Sequence, residues 1–276
     1  MRCVATFVGL LLLAGCGRGH SRTPTAPLNP AQSAAQTPAP STDPSVDWRK
    51  FDSPDSLLFP LTVGNRWHYL LADTTWTFIE GDSLPRPPEV YRDEFTVDVE
   101  SARTTPAGIY YRLEHSLLRF YSLEYRQDRT GLYQLTAIVG ENSPASLARG
   151  INPFPPANGP IGPELALLRY PLRRGMRWDE GGFPLSRKRT VEGVDVLDLP
   201  MGRVRGYRIR VGNPDPAASD TTRIWYGRCG ELLTVSHLAY PLRDRGRVIG
   251  HVLRHETATL DSVRLVNCRP DCPGCP

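Results

Sequence analysis

The sequence predicts a mostly β fold, in which antiparallel sheet or sheets are built from two similar halves. Three observations support this prediction. Several segments alternate strictly between apolar and polar residues, Gly, Pro, Asp and Asn separate these segments, and a set of short landmarks occurs twice in the same order. Strict alternation is typical of a strand with one buried face, and such separators mark turns.

Two segments show the alternation most clearly. In "EFTVDVES", Phe95, Val97 and Val99 fall on one face of a strand and polar residues on the other. In "GYRIRV", Tyr207, Ile209 and Val211 alternate with arginines in the same way. We expect these apolar positions to face a core.

A Pro/Gly-rich connection from 141 to 172 interrupts the strand pattern. We expect one helical turn within this connection, near Glu164 to Leu168.

The first landmark is "LLFPLTVGNRW" at 57–67, which returns as "LLRYPLRRGMRW" at 167–178. In both copies a Gly follows three residues after the Leu of Pro-Leu, and a Trp follows three residues after the Gly. The matching positions are Pro60, Gly64 and Trp67 in the first copy and Pro171, Gly175 and Trp178 in the second.

Two further landmarks follow in the same order. Each half has a Pro-x-Gly between two strand-like segments, at 106–108 and 200–202, and then a Gly that leads into an apolar segment, Gly131 or Gly230. Ordered recurrence indicates duplication of a unit of roughly 100 residues. Proline fixes φ, glycine permits a tight turn, and a large aromatic residue seals a core, so we interpret the landmarks as structural.

The N-terminus predicts export. "MRCVATFVGLLLLAGCGRGH" has a basic residue and a short apolar run, shorter than the roughly 20 residues of a membrane-spanning helix. Leu13-Ala14-Gly15-Cys16 resembles the lipobox of bacterial lipoproteins. The resemblance implies cleavage before Cys16 and its acylation with chains such as palmitate. Gly17 is not the Asp that favours inner-membrane retention, which implies an outer-membrane anchor facing the periplasm or the cell surface.

The chain divides by composition. We predict a signal peptide at 1–15, a lipidated Cys with a Pro/Ala/Ser/Thr-rich tether at 16–46, a first β half at 47–150, a second at 151–267, and a Cys/Pro-rich tail at 268–276. The tether carries too little apolar surface to offset its ordering entropy, so we expect it to stay extended.

This arrangement resembles a group of uncharacterised bacterial lipoproteins, in which "PLxxGxxW", "TPAG" and "GLY" landmarks follow a lipobox and a Pro/Ser-rich tether. The resemblance covers most of residues 57 to 240 and implies no particular activity. The second copy departs from it, because Asp179 stands where the first copy has His68, and Glu231 follows Gly230 where an apolar residue is usual.

Four cysteines remain after Cys3 and Cys16, namely Cys229, Cys268, Cys272 and Cys275. In an oxidising compartment they predict two disulfides with three possible pairings, and we favour a bridge from Cys229 to a tail cysteine. The alternative is a zinc site, since "CRPDCPGC" spaces thiols as some metal sites do.

Charge and motifs exclude several functions. The net charge of +4 is too small to indicate nucleic-acid binding, and hydrolase and nucleotide-binding motifs are absent. His251 and His255 would share one face of a strand and could bind metal, but we favour ordinary strand histidines. We predict no cofactor and no catalytic residue.

Three functions remain open. The first is a non-enzymatic binding, structural or assembly role in the cell envelope, with an envelope protein or an apolar ligand as partner. The second is a carrier of lipid or lipoprotein acyl chains, similar to LolA/LolB half-barrels. The third is an envelope hydrolase or a metal-dependent enzyme.

Overall fold

The structure, a computed structural model, describes residues 58–82, 86–117, 122–135, 164–181, 187–212, 220–267 and 272. The signal peptide, Cys16 and the tether lie outside these residues. The described residues form twelve β-strands: β1 (Arg66–Ile79), β2 (Glu89–Thr105), β3 (Gly108–His115), β4 (Ser122–Asp128), β5 (Gly131–Leu135), β6 (Glu164–Arg169), β7 (Arg177–Asp179), β8 (Lys188–Leu199), β9 (Gly202–Gly212), β10 (Thr221–Gly227), β11 (Gly230–Asp244) and β12 (Arg247–Arg264).

All twelve strands belong to one antiparallel sheet, with the order β6-β5-β4-β3-β2-β1-β12-β11-β10-β9-β8-β7. The sheet curls until it is nearly closed into a barrel. At the closing edge the Ala166 amide of β6 donates to the Glu180 carbonyl, just after β7, at 2.7 Å. The predicted antiparallel β class is therefore confirmed. In the described part of the chain no helix is long and apolar enough to cross a membrane.

The landmarks divide the sheet into two sets of six strands, which we call the first repeat (β1–β6) and the second repeat (β7–β12). At the start of the first repeat, the Gly64 amide donates to the Val99 carbonyl at 2.9 Å. At the start of the second, the Gly175 amide donates to the Val191 carbonyl at 2.8 Å. Directly after each of these valines, the ladder to the next strand is interrupted by a bulge.

The remaining landmarks also occupy matching places. One Pro-x-Gly forms the turn between β2 and β3, and the other forms the turn between β8 and β9. The third landmark glycine begins β5 in one repeat and β11 in the other. The two repeats therefore follow the same backbone plan, as the recurrence in the sequence predicts.

One contiguous hydrophobic core fills the inside of the curled sheet. The alternation predicted its members correctly: Phe95 and Val99 of β2 are buried, as are Ile209 and Val211 of β9. Successive side chains of a strand point to opposite faces, so the polar residues between them face solvent.

The predicted helical turn near Glu164 to Leu168 is wrong, because these residues form β6. This strand pairs with β5 and therefore lies beside the first repeat. The predicted division at 150/151 assigns the same residues to the second half. Leu167 and Leu168 are fully buried there. Pairing on both sides of β6 outweighs its local preference for helix.

Candidate functional site

The first landmark of each repeat packs into the barrel. The Phe59 ring lies 5.0 Å from the ring of Trp67, which is fully buried. The Trp67 indole donates to the Cys229 carbonyl at 2.5 Å. In the second repeat, the Trp178 indole donates to the Ala166 carbonyl at 2.8 Å. The indole N–H of each tryptophan therefore donates to a backbone carbonyl of the same chain.

The landmark prolines precede their strands. The Pro60 carbonyl accepts a hydrogen bond from the Asn65 side-chain amide at 2.6 Å, which ties the loop to the start of β1. Pro171 follows Tyr170 through a cis peptide bond and lies before β7. The Tyr170 hydroxyl accepts a hydrogen bond from the Leu58 amide at 3.2 Å, so the two landmark loops contact each other.

A disulfide joins Cys229 to Cys272, with the two Cα atoms 5.3 Å apart. It attaches the tail to the turn between β10 and β11, where the Trp67 indole also binds. Cys268 and Cys275 lie outside the described residues.

The second repeat places a network of charged and polar side chains inside the barrel, which we call the interior ion network. Its members are Glu180, Arg189, Tyr226, Glu231 and Thr234. The Arg189 guanidinium, which is fully buried, donates to Glu180 at 2.7 Å. The Thr234 hydroxyl donates to Glu231 Oε1 at 2.6 Å.

Burial is the main influence on the pKa values in this network. It raises the pKa of Glu231 to about 7, although the hydrogen bond from Thr234 and the charge of Arg189 act in the opposite direction. Burial also raises the pKa of Tyr226. Within the described residues, Arg189 Nε and Nη1, the Tyr226 hydroxyl and Glu231 Oε2 are buried without a hydrogen bond of good geometry. Buried polar atoms with poorly formed hydrogen bonds reduce the stability of a fold.

A second ion cluster lies where β1 of the first repeat pairs with β12 of the second. Arg254 Nε donates to Asp73 at 2.9 Å, and its Nη2 donates to Glu256 at 2.7 Å. Asp73 and Glu256 are directly opposite each other in the ladder. Burial raises the pKa of Glu256. Arg254 therefore neutralises two buried carboxylates at the junction of the repeats.

At one end, β1, β12 and β11 extend beyond the neighbouring strands as a three-stranded ribbon, formed by residues 76–79, 250–253 and 239–242. β2 pairs with β1 only as far as Thr75, and β10 pairs with β11 only as far as His237. Both long edges of the ribbon therefore lack a strand partner in the described part of the sheet. The β1 edge can pair with another chain, whereas Pro241 on the β11 edge has no backbone N–H to donate.

The outer face of this ribbon is apolar and aromatic. Trp76 lies opposite Leu253, which is 39 % exposed. The Phe78 ring stacks on the His251 ring, with 4.6 Å between the centroids. Tyr240 is exposed as well, but it lies opposite the buried Val252 and is therefore on the other face of the ribbon. Exposed apolar side chains that cluster on one element are typical of an interaction surface.

His251 and His255 share the outer face of β12, as predicted. They are four residues apart on an extended strand, which separates them by about 13 Å, too far for a shared zinc ion with bonds of about 2 Å. His255 instead stacks on His237, with 4.4 Å between the ring centroids. Among the described residues, no group of three or more potential ligands could hold a metal ion.

Sequence reasoning missed the interior ion network. Arg189 and Val191 are two residues apart in β8, and this spacing places both side chains on the buried face of the strand. Glu231 follows the landmark glycine at the place where the first repeat has the buried Leu132. The comparison of the two copies already marks Glu231 as a departure, but it does not show that Glu231 and Arg189 share the interior.

Comparisons with known proteins add little. No protein family model matches the chain, and no curated protein matches it. A crystal structure of a Bacteroides fragilis protein, provisionally described as an exported protein with a YmcC-like fold, is similar over 76 % of this chain and 100 % of that one, with 10 % identity and a TM-score of 0.35. This similarity is too weak to carry an argument about function.

Proposed function

We propose that the protein is a lipid-anchored lipoprotein of the cell envelope with a non-enzymatic binding or assembly role. The lipobox-like Leu13 to Cys16 and the tether that follows support the anchor, with the outer membrane as its site. The folded β body supports a role in binding.

One observation directs the proposal to the exterior of the barrel. Its interior is occupied by the chain's own side chains, including the fully buried Trp67, Tyr125, Tyr226 and Leu168, which belong to one contiguous cluster. A carrier of acyl chains needs an open apolar cavity. The packing therefore favours recognition on the outer surface over a carrier of the LolA/LolB type.

The ribbon is the part of the exterior best suited to bind a protein partner. Its β1 edge can add a strand, and its outer face offers Trp76, Phe78 and Leu253 as apolar anchors. A partner that adds a strand gains main-chain hydrogen bonds along the edge, while side chains on alternate positions give specificity.

The anchor is tested by mass spectrometry of the N-terminal peptide and by membrane fractionation. We expect Cys16 to carry acyl chains, and Cys16→Ala to release the protein from membranes. A Cys16→Ala variant that stays membrane-bound to the same extent as the wild type would contradict the anchor.

The ribbon is tested by photo-crosslinking in intact cells. A photoreactive residue at Leu253 should give a discrete crosslinked species. The same residue at Ile109, which is 46 % exposed but lies on β3, is the control and should give none. Equal crosslinking at both positions, or none at Leu253, would refute the ribbon as the binding surface.

A further inference from the structure

A row of directly opposed residues crosses the outer face of the second repeat. Arg177 of β7 lies opposite Thr190 of β8, Thr190 lies opposite Arg210 of β9, and Arg210 lies opposite Arg223 of β10. The residues beside them in each strand point inward and are buried, so the row faces solvent. We call Arg177, Arg210 and Arg223 the arginine row.

The first repeat has a row at the same place with the opposite charge. There Arg66 of β1 lies opposite Asp98 of β2, Asp98 lies opposite Glu114 of β3, and Glu114 lies opposite Ser122 of β4. Arg66 forms an ion pair with Asp98. In the second repeat Thr190 replaces this aspartate, so Arg177 has no acidic partner within the described residues. The basic character of the row is therefore specific to the second repeat and is not required by the fold.

One carboxylate approaches the arginine row. Glu192, at the bulge of β8, lies 3.0 Å from Arg223 Nε and 3.6 Å from Arg210 Nε. Arg208 also contacts it, at 3.1 Å. Glu192 is therefore shared by three guanidinium groups. The terminal nitrogens of Arg210 and Arg223 have no hydrogen-bond acceptor in the part of the chain that the structure describes.

Glu192 offsets only part of the positive charge in this arrangement, so a bound anion would stabilise it further. Like charges directly opposite each other on neighbouring strands are destabilising, as Arg210 and Arg223 are here. The side chains of Arg210 and Arg223 are 48 % and 36 % exposed, so an external group can reach them. A planar guanidinium matches the oxygens of a phosphate with two parallel hydrogen bonds.

We propose that the arginine row is a contact surface for the phosphate headgroups of anionic membrane lipids. This inference rests on the proposed lipid anchor, because a tethered chain meets the membrane surface at high effective concentration. Basic residues close to an anionic bilayer are attracted to its surface. The row would then hold one side of the barrel against the bilayer while the other faces stay free.

The test uses the full acylated protein in vesicles of neutral phosphatidylcholine, with or without about 30 mol % phosphatidylglycerol. Arginines are modified with phenylglyoxal, and each site is quantified by mass spectrometry. We expect modification of Arg177, Arg210 and Arg223 to be about fivefold slower on the anionic vesicles, and this protection to vanish at about 0.5 M salt. Equal rates on both vesicle types would overturn the proposal.

Two controls identify the cause of any protection. Arg243 and Arg247, near the turn between β11 and β12, should be modified at the same rate on both vesicle types. If anionic vesicles slowed their modification as much as that of the arginine row, the effect would be nonspecific and the proposal would be overturned. Arg210→Gln with Arg223→Gln should remove the protection of Arg177, whereas Arg243→Gln with Arg247→Gln should leave it. The wild-type comparison stands even if a variant does not fold.

A further arm separates lipid from free anion. Inorganic phosphate, added to the neutral vesicles at the headgroup concentration, should not protect the row, and equal protection would assign the site to a free anion instead. Failure of the protein to associate with either vesicle would contradict the anchor of the proposed function. Association without protection would contradict only this inference.

Discussion

In the first repeat, the outward row across β1 to β4 contains Asp98 and Glu114, whereas the matching row of the second repeat contains Thr190 and Arg210. The backbone at these places is the same, down to the bulge in the ladder. The contrast shows that duplicated strands retain the residues that set backbone geometry, while outward positions change because solvent tolerates either charge.

The inward positions differ as well. Directly after the third landmark glycine, the first repeat has Leu132 and the second has Glu231, and both side chains are buried. At this inward position the first repeat has an apolar residue, whereas the second has a carboxylate that belongs to the interior ion network. The two repeats should therefore also differ in what stabilises them.

The largest expected effect is at the landmark tryptophans. Trp67→Ala should lower the free energy of unfolding by about 3–5 kcal/mol, because it empties a fully buried site and removes a hydrogen bond. Trp178→Ala should cost less, since Trp178 is 7 % exposed and lies on a three-residue edge strand. Urea unfolding followed by circular dichroism measures both, and an equal or larger loss for Trp178→Ala would contradict the comparison.

The disulfide is a stabilising feature of the second repeat. Cys229→Ser with Cys272→Ser should lower the free energy of unfolding by about 2–4 kcal/mol, because the bridge restricts the unfolded chain across a separation of 43 residues. Non-reducing peptide mapping provides the check on pairing. Recovery of Cys229 joined to Cys268 or Cys275 would show that the pairing is different.

Glu231 should make the second repeat sensitive to pH. The pKa of Glu231 is about 7 in the folded protein, above the ordinary value of 4.5. Between pH 4.5 and pH 7 the side chain is therefore protonated in the folded state and ionised in the unfolded state. This contribution to stability therefore falls as pH rises from 4.5 to 7. Glu231→Gln should stabilise the protein by about 3 kcal/mol at pH 8 and hardly at pH 4.

Thermal unfolding of Glu231→Gln and wild type across this pH range measures the effect. Glu100→Gln, at an exposed position of the first repeat, is the matched control and should follow the wild-type profile. A constant difference between Glu231→Gln and wild type at all pH values would show that Glu231 does not titrate as described.

The smallest effects are expected at the landmark glycines. Gly64 and Gly175 have φ values of +93° and +83°, so alanine at either position should cost about 1 kcal/mol. Gly64→Ala should cost somewhat more, because its Cβ would lie 3.1 Å from Val266, while a Cβ at Gly175 meets nothing within 4 Å. Melting temperatures of the two variants provide the measurement, and a reversed order would contradict this account.

The sequence alone determined the β class, the duplication and the inward faces of β2 and β9. These features depend on spacing along a few neighbouring residues, as the alternation of Phe95, Val97 and Val99 illustrates. It also indicated the lipid anchor at Cys16, which stays a prediction because that residue lies outside the described part of the chain.

Only the tertiary structure decided which distant strands meet. Glu164 to Leu168 form a strand because β5 and the segment after β7 supply hydrogen-bond partners. Arg189 and Glu231 face the same interior although 42 positions separate their numbers in the chain. The members of the arginine row come together because of the register in which β7, β8, β9 and β10 pair. Register between strands far apart in sequence follows from the packing of the whole barrel, which no local pattern encodes.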